Sequence, residues 1–351
     1  MRVPNSKKNR RKINGWPFLN KPRRVFTAMT LTLLLSGCVS TVLEVDNKSI
    51  QPIPAALVSD MTKKNMLPAD PILIRIFKDE SELEIWKRNR TGRYELVKSY
   101  PMCRWSGKLG PKRKSGDRQA PEGFYSVNLG MLNPNSQYYL SFNIGYPNKL
   151  EAALGYTGEA IMVHGACSSS GCFAMTDQNV AAIYAVAREA LRGGQAAFQV
   201  QVLPFRMTAK NMARNRANPN FAFWTNLKQG YDIFESQKLP PKVSYCGRRY
   251  VFNATFQEGE PADPLGQCPA SIDQSQTIAS LGPAIPPDPL TVEAEANVVS
   301  YHAYEDGGMN AVFRRMLKNR GAKELSKMTS LTAVPVSRPE AALADPHNPG
   351  E

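Results

Sequence analysis

Apolar positions in the first two thirds of the chain recur mostly at a period of two, which predicts strands. Ile72 to Phe77 is a continuous apolar and β-branched run, and Glu82 to Trp86 alternates as a partner strand would, with Asp79 to Ser81 as the turn between them. Tyr94 to Ser99, Phe124 to Val127, Tyr138 to Ile144 and Phe198 to Leu203 read as further short strands, and Pro121 and Gly123 mark the turn before the second of these. The period changes to 3.6 after Thr176. Val180, Ile183, Tyr184, Ala187 and Leu191 form one stripe of a helix running to about Arg192, capped by Thr176 or Asp177 and stopped by Gly193-Gly194. Shorter helical stretches cover Ala209 to Asn215 and Phe221 to Lys228. The mixture predicts a β-rich α/β fold, a sheet sandwich with a few helices and no internal repeat.

Both flanks lose this periodicity. The N-terminus has a basic run, then the apolar segment Val25 to Leu35, then Leu35-Ser36-Gly37-Cys38. The apolar segment is too short to span a bilayer as a stable helix and fits a secretory signal. Leu-Ser-Gly-Cys resembles the lipobox of bacterial lipoproteins, which implies cleavage before Cys38 and lipid on its sulfur. An ordinary signal peptide or N-terminal anchor with a chance cysteine is the alternative. Val39 follows the cysteine, so no aspartate marks retention in the inner membrane, and the expected place is the periplasm, on the outer membrane.

The formal net charge of +14 points to nucleic acid at first sight. Nine of the 44 Lys and Arg lie in residues 1–37 and none of the 30 acids does, which leaves 35 against 30 in the remainder. That balance is ordinary, so no nucleic-acid partner is expected.

Candidate chemistry converges on Ile161 to Asp177, where a histidine ends an apolar run and a loop of small residues leads to a cysteine. The chain holds only three histidines, and His302 and His347 fall in its poorly patterned C-terminal part. His164 is therefore the one credible base for a Cys172 nucleophile, and backbone N–H groups near Gly171 and Cys172 suit an oxyanion. Two other readings exist for the same residues. His164, Cys167 and Cys172 could begin a metal site, but spare ligands are distant, so neither metal nor cofactor is expected. Cys167 and Cys172 could instead pair, making the loop structural or redox-active. Export permits disulfides: Cys246 with Cys268 is the first expectation, Cys103 with Cys167 the second.

Several stretches together resemble the YkuD-type L,D-transpeptidase family, specifically its murein L,D-transpeptidase subgroup in Gram-negative bacteria. They are Ser106 to Lys112, Pro121 to Tyr125, Gly145 to Asn148, His164-Gly165, Ser170 to Asp177 and Pro204 to Met207. The resemblance implies Cys172 as nucleophile, His164 as general base, the Gly165 carbonyl orienting His164, and Gly171 at the oxyanion. It implies attack on a peptidoglycan stem peptide, a thioester, and resolution by an amine or by water. Ser170 stands where the broader family usually has a histidine, and Ala174 where it has an arginine. Arg206, then Lys112 or Arg113, are the candidates to replace that arginine, because a guanidinium offers bidentate contacts to carboxylates; Ser170 completes the expected substrate-binding set.

The expected organisation is a lipoprotein-type signal peptide over 1–37, a tether over 38–67, a catalytic domain over 68–235, an irregular extension over 236–277, and a largely disordered tail over 278–351 with an amphipathic helix at 309–328. The expected partners are peptidoglycan stem peptides, a murein-attached lipoprotein, and the membrane through the lipid. Rival expectations are hydrolysis at the same site, murein binding without activity, and thiol oxidoreduction through Cys167 and Cys172.

Overall fold

The computed structural model describes residues 47–270 and 307–329. Cys38, His302, His347 and the signal segment lie outside the described residues.

Two five-stranded sheets carry the fold. The first runs β3 (Tyr94–Pro101), β2 (Glu82–Arg88), β1 (Ile72–Phe77), β10 (Ala197–Leu203), β5 (Gly123–Asn128). Only β1 and β10 pair in parallel within it. The second runs β4 (Arg104–Trp105), β9 (Phe173–Ala174), β8 (Met162–His164), β7 (Ser141–Asn143), β6 (Leu132–Asn133), with β8 and β9 parallel.

Strand alternation explains the layers. Ile72, Ile74 and Ile76 of β1 join one core with Phe142 and Val163 of the second sheet. The same core takes up Val180, Ile183, Val186 and Ala187 of the helix α3 (Asp177–Arg192). From the opposite face of β1, Phe77 packs with Phe205, Trp224 and Leu227, the last two on α5 (Phe221–Gln237). Because both faces of β1 are covered, its sequence is apolar throughout apart from Arg75. That guanidinium is buried, pairs with Glu235 at 2.5 Å, and lies 4.6 to 5.0 Å from the rings of Tyr231, Phe234 and Phe77. The helix expected after Thr176 forms, and Thr176 is its cap, accepting the Asn179 N–H at 3.2 Å.

Four expectations change. The tether ends by Lys48: a 3₁₀ turn (Lys48–Ile50) and α1 (Ala55–Lys63) dock on the domain, burying Ile53, Leu57 and Met61 in the main core. Ile53 lies just before α1, and Leu57 and Met61, four apart on it, form a helical stripe hidden among polar residues and prolines. Buried Arg188 of α3 ties this segment down through the Gln51 carbonyl at 2.9 Å and the Ser49 carbonyl.

The helix expected to end at Lys228 continues through Gln237, past the expected domain limit at 235, because Tyr231 and Phe234 extend its buried stripe. The irregular extension contains a hairpin, β11 (Val243–Cys246) and β12 (Arg249–Phe252), whose Tyr250 and Phe252 join the core under α5. The Cys246–Cys268 disulfide staples it. In the tail, the amphipathic stretch forms two helices, α6 (Ala311–Arg320) and α7 (Ala322–Ser326), broken at Gly321, whose φ of +74° favours glycine. Two short helices, α2 (Lys149–Ala153) and α4 (Ala209–Arg214), and a 3₁₀ turn (Leu129–Met131) complete the described elements.

Candidate active site

The parallel pairing of β8 with β9 sets the site. His164 is the register partner of Ala174 and Val163 that of Phe173, so one residue further back Cys172 falls beside Met162. A Met162 N–H to Cys172 Sγ hydrogen bond of 3.4 Å fits that placement. Side chains two apart along a strand share a face, which puts Cys172 and His164 on one side of the sheet as diagonal neighbours. Phe173 and Val163, the alternate residues, fill the main core behind them.

Each functional group is held by local structure. His164 Nδ1 lies 2.6 Å from the Gly165 carbonyl, and the Tyr138 ring packs 4.6 Å from the imidazole. An N–H at Nδ1 donated to that carbonyl leaves Nε2 as the basic nitrogen. Only glycine fits at 165, where a Cβ would stand 2.6 Å from Asp177 Oδ1 and 2.8 Å from the Tyr138 carbonyl. Burial drives the imidazole down to about 4, outweighing its hydrogen bond to Gly165, so it is neutral near pH 7.

The Cys172 thiol donates to the Ala160 carbonyl at 3.8 Å. Although the residue as a whole is half-buried, the surroundings of the sulfur push the thiol up; the Met162 N–H and the Lys112 charge oppose this without overcoming it. A neutral thiol on the same sheet face as a neutral imidazole makes a pair suited to passing a proton as the sulfur attacks.

Gly171 has φ +123°, a backbone region that favours glycine, and its N–H reaches Ser169 Oγ at 3.3 Å. Ser169 was not singled out in the sequence, yet it ties the loop together: its hydroxyl also donates to the Cys172 carbonyl at 2.7 Å and meets Ser106 Oγ at 3.1 Å. Three successive serines in the sequence give no sign of which turn inward: Ser168 is buried as well as Ser169. Ser169 makes these bonds, whereas Ser170, expected to bind substrate, is exposed.

The disulfide Cys103–Cys167 removes Cys167 from the metal and redox alternatives, leaving Cys172 as the free cysteine among the described residues. Cys167 therefore cannot serve as a resolving thiol for Cys172 while that bond stands.

The expected substrate-binding residues do not all gather here. Arg206 is the main correction: its guanidinium Nη2 sits 2.7 Å from both Glu82 and Glu84, over the Phe77 ring, and its backbone N–H binds Glu80. Two carboxylates of β2 already take up its charge, so it has no bidentate face to offer a ligand. Lys112 is buried, pairs with Asp117, donates to the Lys114 carbonyl at 2.8 Å, and is close enough to favour the Cys172 thiolate. Arg113 is exposed and lines a cavity of about 70 Å³ with Leu150, Tyr156 and Phe223, whose walls include neither Cys172 nor His164.

Comparison with known proteins places the chain in a family. Residues 71–202 match the family model described as YkuD, L,D-transpeptidase catalytic domain. The chain is 42% identical over 225 residues to the Escherichia coli (strain K12) protein named "Putative L,D-transpeptidase YafK", across 64% of this chain and 89% of that one. Among solved structures, the helical cell shape determining protein Pgp2 of Campylobacter jejuni is 18% identical, with a TM-score of 0.31 over 54% of this chain and 79% of that chain. Bd1075 of Bdellovibrio bacteriovorus is 18% identical, with a TM-score of 0.28 over 48% of this chain and 61% of that one. These two structural likenesses are too slight to carry an argument. The match of 71–202, which holds both sheets' central strands and Cys172, together with the long relationship to the E. coli protein, makes this chain a member of the YkuD L,D-transpeptidase family.

Proposed function

We propose that the protein is a cysteine acyltransferase acting on peptidoglycan stem peptides, with Cys172 as nucleophile and His164 as general base. The observation that carries this reading is the placement of the free thiol and a neutral, tautomer-fixed imidazole on one face of adjacent parallel strands. Family membership supplies the substrate class.

In the reaction, Sγ attacks a stem-peptide carbonyl while its proton passes to His164 Nε2. Collapse of the tetrahedral adduct breaks the C–N bond, and the proton goes from Nε2 to the leaving amine, leaving a thioester on Cys172. Backbone N–H groups at Gly171 and Cys172 would face the oxyanion; for Gly171 this means exchanging its long bond to Ser169 Oγ for the ligand. Lys112, a buried cation near the sulfur, would favour the developing negative charge. An acceptor amine then resolves the thioester into a crosslink or a protein attachment. Water would make the same site a hydrolase that releases a murein-bound lipoprotein or trims the stem. The partial exposure of Cys172 favours keeping that second reading, since it leaves water a route to the thioester.

The proposed setting is the periplasm, on the outer membrane through lipid on Cys38, as the basic run, the short apolar segment and Leu35 to Cys38 suggest. Incubating the purified protein with disaccharide tetrapeptide and weighing it intact tests the chemistry. The expected result is a stem-peptide adduct on Cys172 that Cys172→Ala lacks, with crosslinked products marking transfer and trimmed ones hydrolysis. Wild-type protein that stays unmodified while the muropeptides remain unchanged would sink the reading.

A further inference from the structure

The C-terminal segment 307–329 returns to the catalytic loop and grips it at both ends. At one end it extends the edge of the second sheet. Trp105 of β4 and Gly308 exchange N–H···O bonds of 3.0 Å in both directions, and a Cβ on Gly308 would stand 1.9 Å from Trp105 Nε1. Asn310 donates its N–H to the Met102 carbonyl at 3.1 Å and its side-chain amide to the Glu80 and Ser81 carbonyls at 3.2 Å each, while its Oδ1 caps α6. Met309, Phe313 and Leu325 then close a buried cluster with Cys103, Cys167 and Ala174. Cys167 lies between His164 and Cys172 in the loop, and Ala174 is the register partner of His164.

At the other end the link runs through Asp177. Its backbone N–H donates to the Met328 carbonyl at 3.1 Å, and its Oδ1 accepts the Ala166 N–H at 2.9 Å while crowding Gly165. Between these grips lie Ala166 with φ +67° and Cys167 with φ +47°, two successive non-glycine residues in the left-handed region. Each such residue costs on the order of 1 kcal/mol or more and persists only where surrounding contacts enforce it. Asp177 enforces the first, and the cluster under α6 and α7 helps enforce the second.

We propose that residues 307–329 are the positioning element of the active site: docked, they hold the Gly165–Cys167 turn, through Asp177 and the Phe313 cluster, in the conformation that aims the Gly165 carbonyl at His164 and sets His164 against Cys172. Asp177 is a positioning residue, acting on the base through Ala166 and Gly165. The inference rests on Cys172 and His164 being the reacting pair, and is tested by a reaction that needs no peptidoglycan.

The experiment compares wild type, Phe313→Asp, Asn310→Ala, Asp177→Ala and Asp177→Asn in two assays: the pH profile of Cys172 alkylation by iodoacetamide, and single-turnover acylation by disaccharide tetrapeptide. Asn310→Ala removes the grip on Glu80 and Ser81 without burying a charge, so it decides the matter should Phe313→Asp fail to fold. The expected result is a shifted alkylation profile in Phe313→Asp, Asn310→Ala and Asp177→Ala, with acylation slowed about tenfold or more and KM within about twofold, the pattern of misaligned reacting groups rather than lost binding. Asp177→Asn retains an oxygen for Ala166 and should restore wild-type behaviour to within about threefold. Folded Asn310→Ala and Asp177→Ala proteins whose alkylation profiles coincide with wild type would overturn the proposal. So would an Asp177→Asn protein as impaired as Asp177→Ala. If wild type alkylates normally but is never acylated, the substrate reading fails while the alkylation comparison still decides this one.

Discussion

At the scale of single residues, the site depends on two groups whose burial moves them apart. The imidazole is driven down and the thiol up, so the resting pair is uncharged instead of a thiolate beside an imidazolium. The acid limb of a kcat/KM profile reports protonation of the free enzyme's base. For this protein it should fall near 4, well below the usual 6.5 of histidine, with activity maintained between those values. A profile whose acid limb lies at or above 6.5 would show that the imidazole is not held neutral. The residue types for this chemistry were legible in the sequence, since a short count of histidines leaves His164 and the pattern leaves Cys172. What Asp177 and Ser169 do was not. Asp177 reads as a helix cap and Ser169 as one serine of three, because their partners, Ala166 and the Cys172 carbonyl, are fixed only by how the loop closes.

At the scale of elements, period-two alternation located most strands of the first sheet, while the second was harder to delimit. Its strands β4, β6 and β9 are two residues long, too short for a period to register. One buried ion pair joins the two regions. Lys78, just past β1, sends its ammonium to the Lys108, Gly110 and Ala120 carbonyls at 2.8 to 3.0 Å and to Glu122 Oε1 at 2.9 Å. Glu122 also accepts the Gly110 N–H at 2.6 Å and the Trp224 indole at 2.7 Å. This hub shapes the loop between β4 and β5, which carries Lys112 toward the thiol. Removing one member leaves the other charge buried, so Lys78→Met should cost about 3–5 kcal/mol, and adding Glu122→Gln should recover part of it. Urea unfolding of the two single variants and the double variant measures the coupling; strictly additive losses would show that the pair is not a unit.

At the scale of the whole molecule, two buried groups give stability opposite pH slopes. His164, at about 4 when folded against 6.5, contributes stability that is complete above 6.5 and is lost as pH falls through 4. Glu151, raised by burial from 4.5 to about 8 despite bonds from Asn148 and Tyr125, contributes stability that is complete below 4.5 and is lost as pH rises through 8. Glu151→Gln should therefore remove the alkaline loss and keep the acid one. Urea midpoints of the variant and wild type, compared at 4.5 and at 8, check this, and a constant difference between the two proteins would refute it. The sequence by itself determined the β-rich α/β class, the helix after Thr176 and the candidate residues Cys172 and His164, and it held both observed disulfides among its expectations, because each is written in local periodicity or in a very short list of residue types. Only the tertiary structure decided that Arg206 answers to Glu82 and Glu84, that residues 48–63 belong to the domain, and that the tail's helices close over Cys103–Cys167. Those outcomes depend on partners scores of residues away, whose choice is made by burial and charge in three dimensions and leaves no period along the chain.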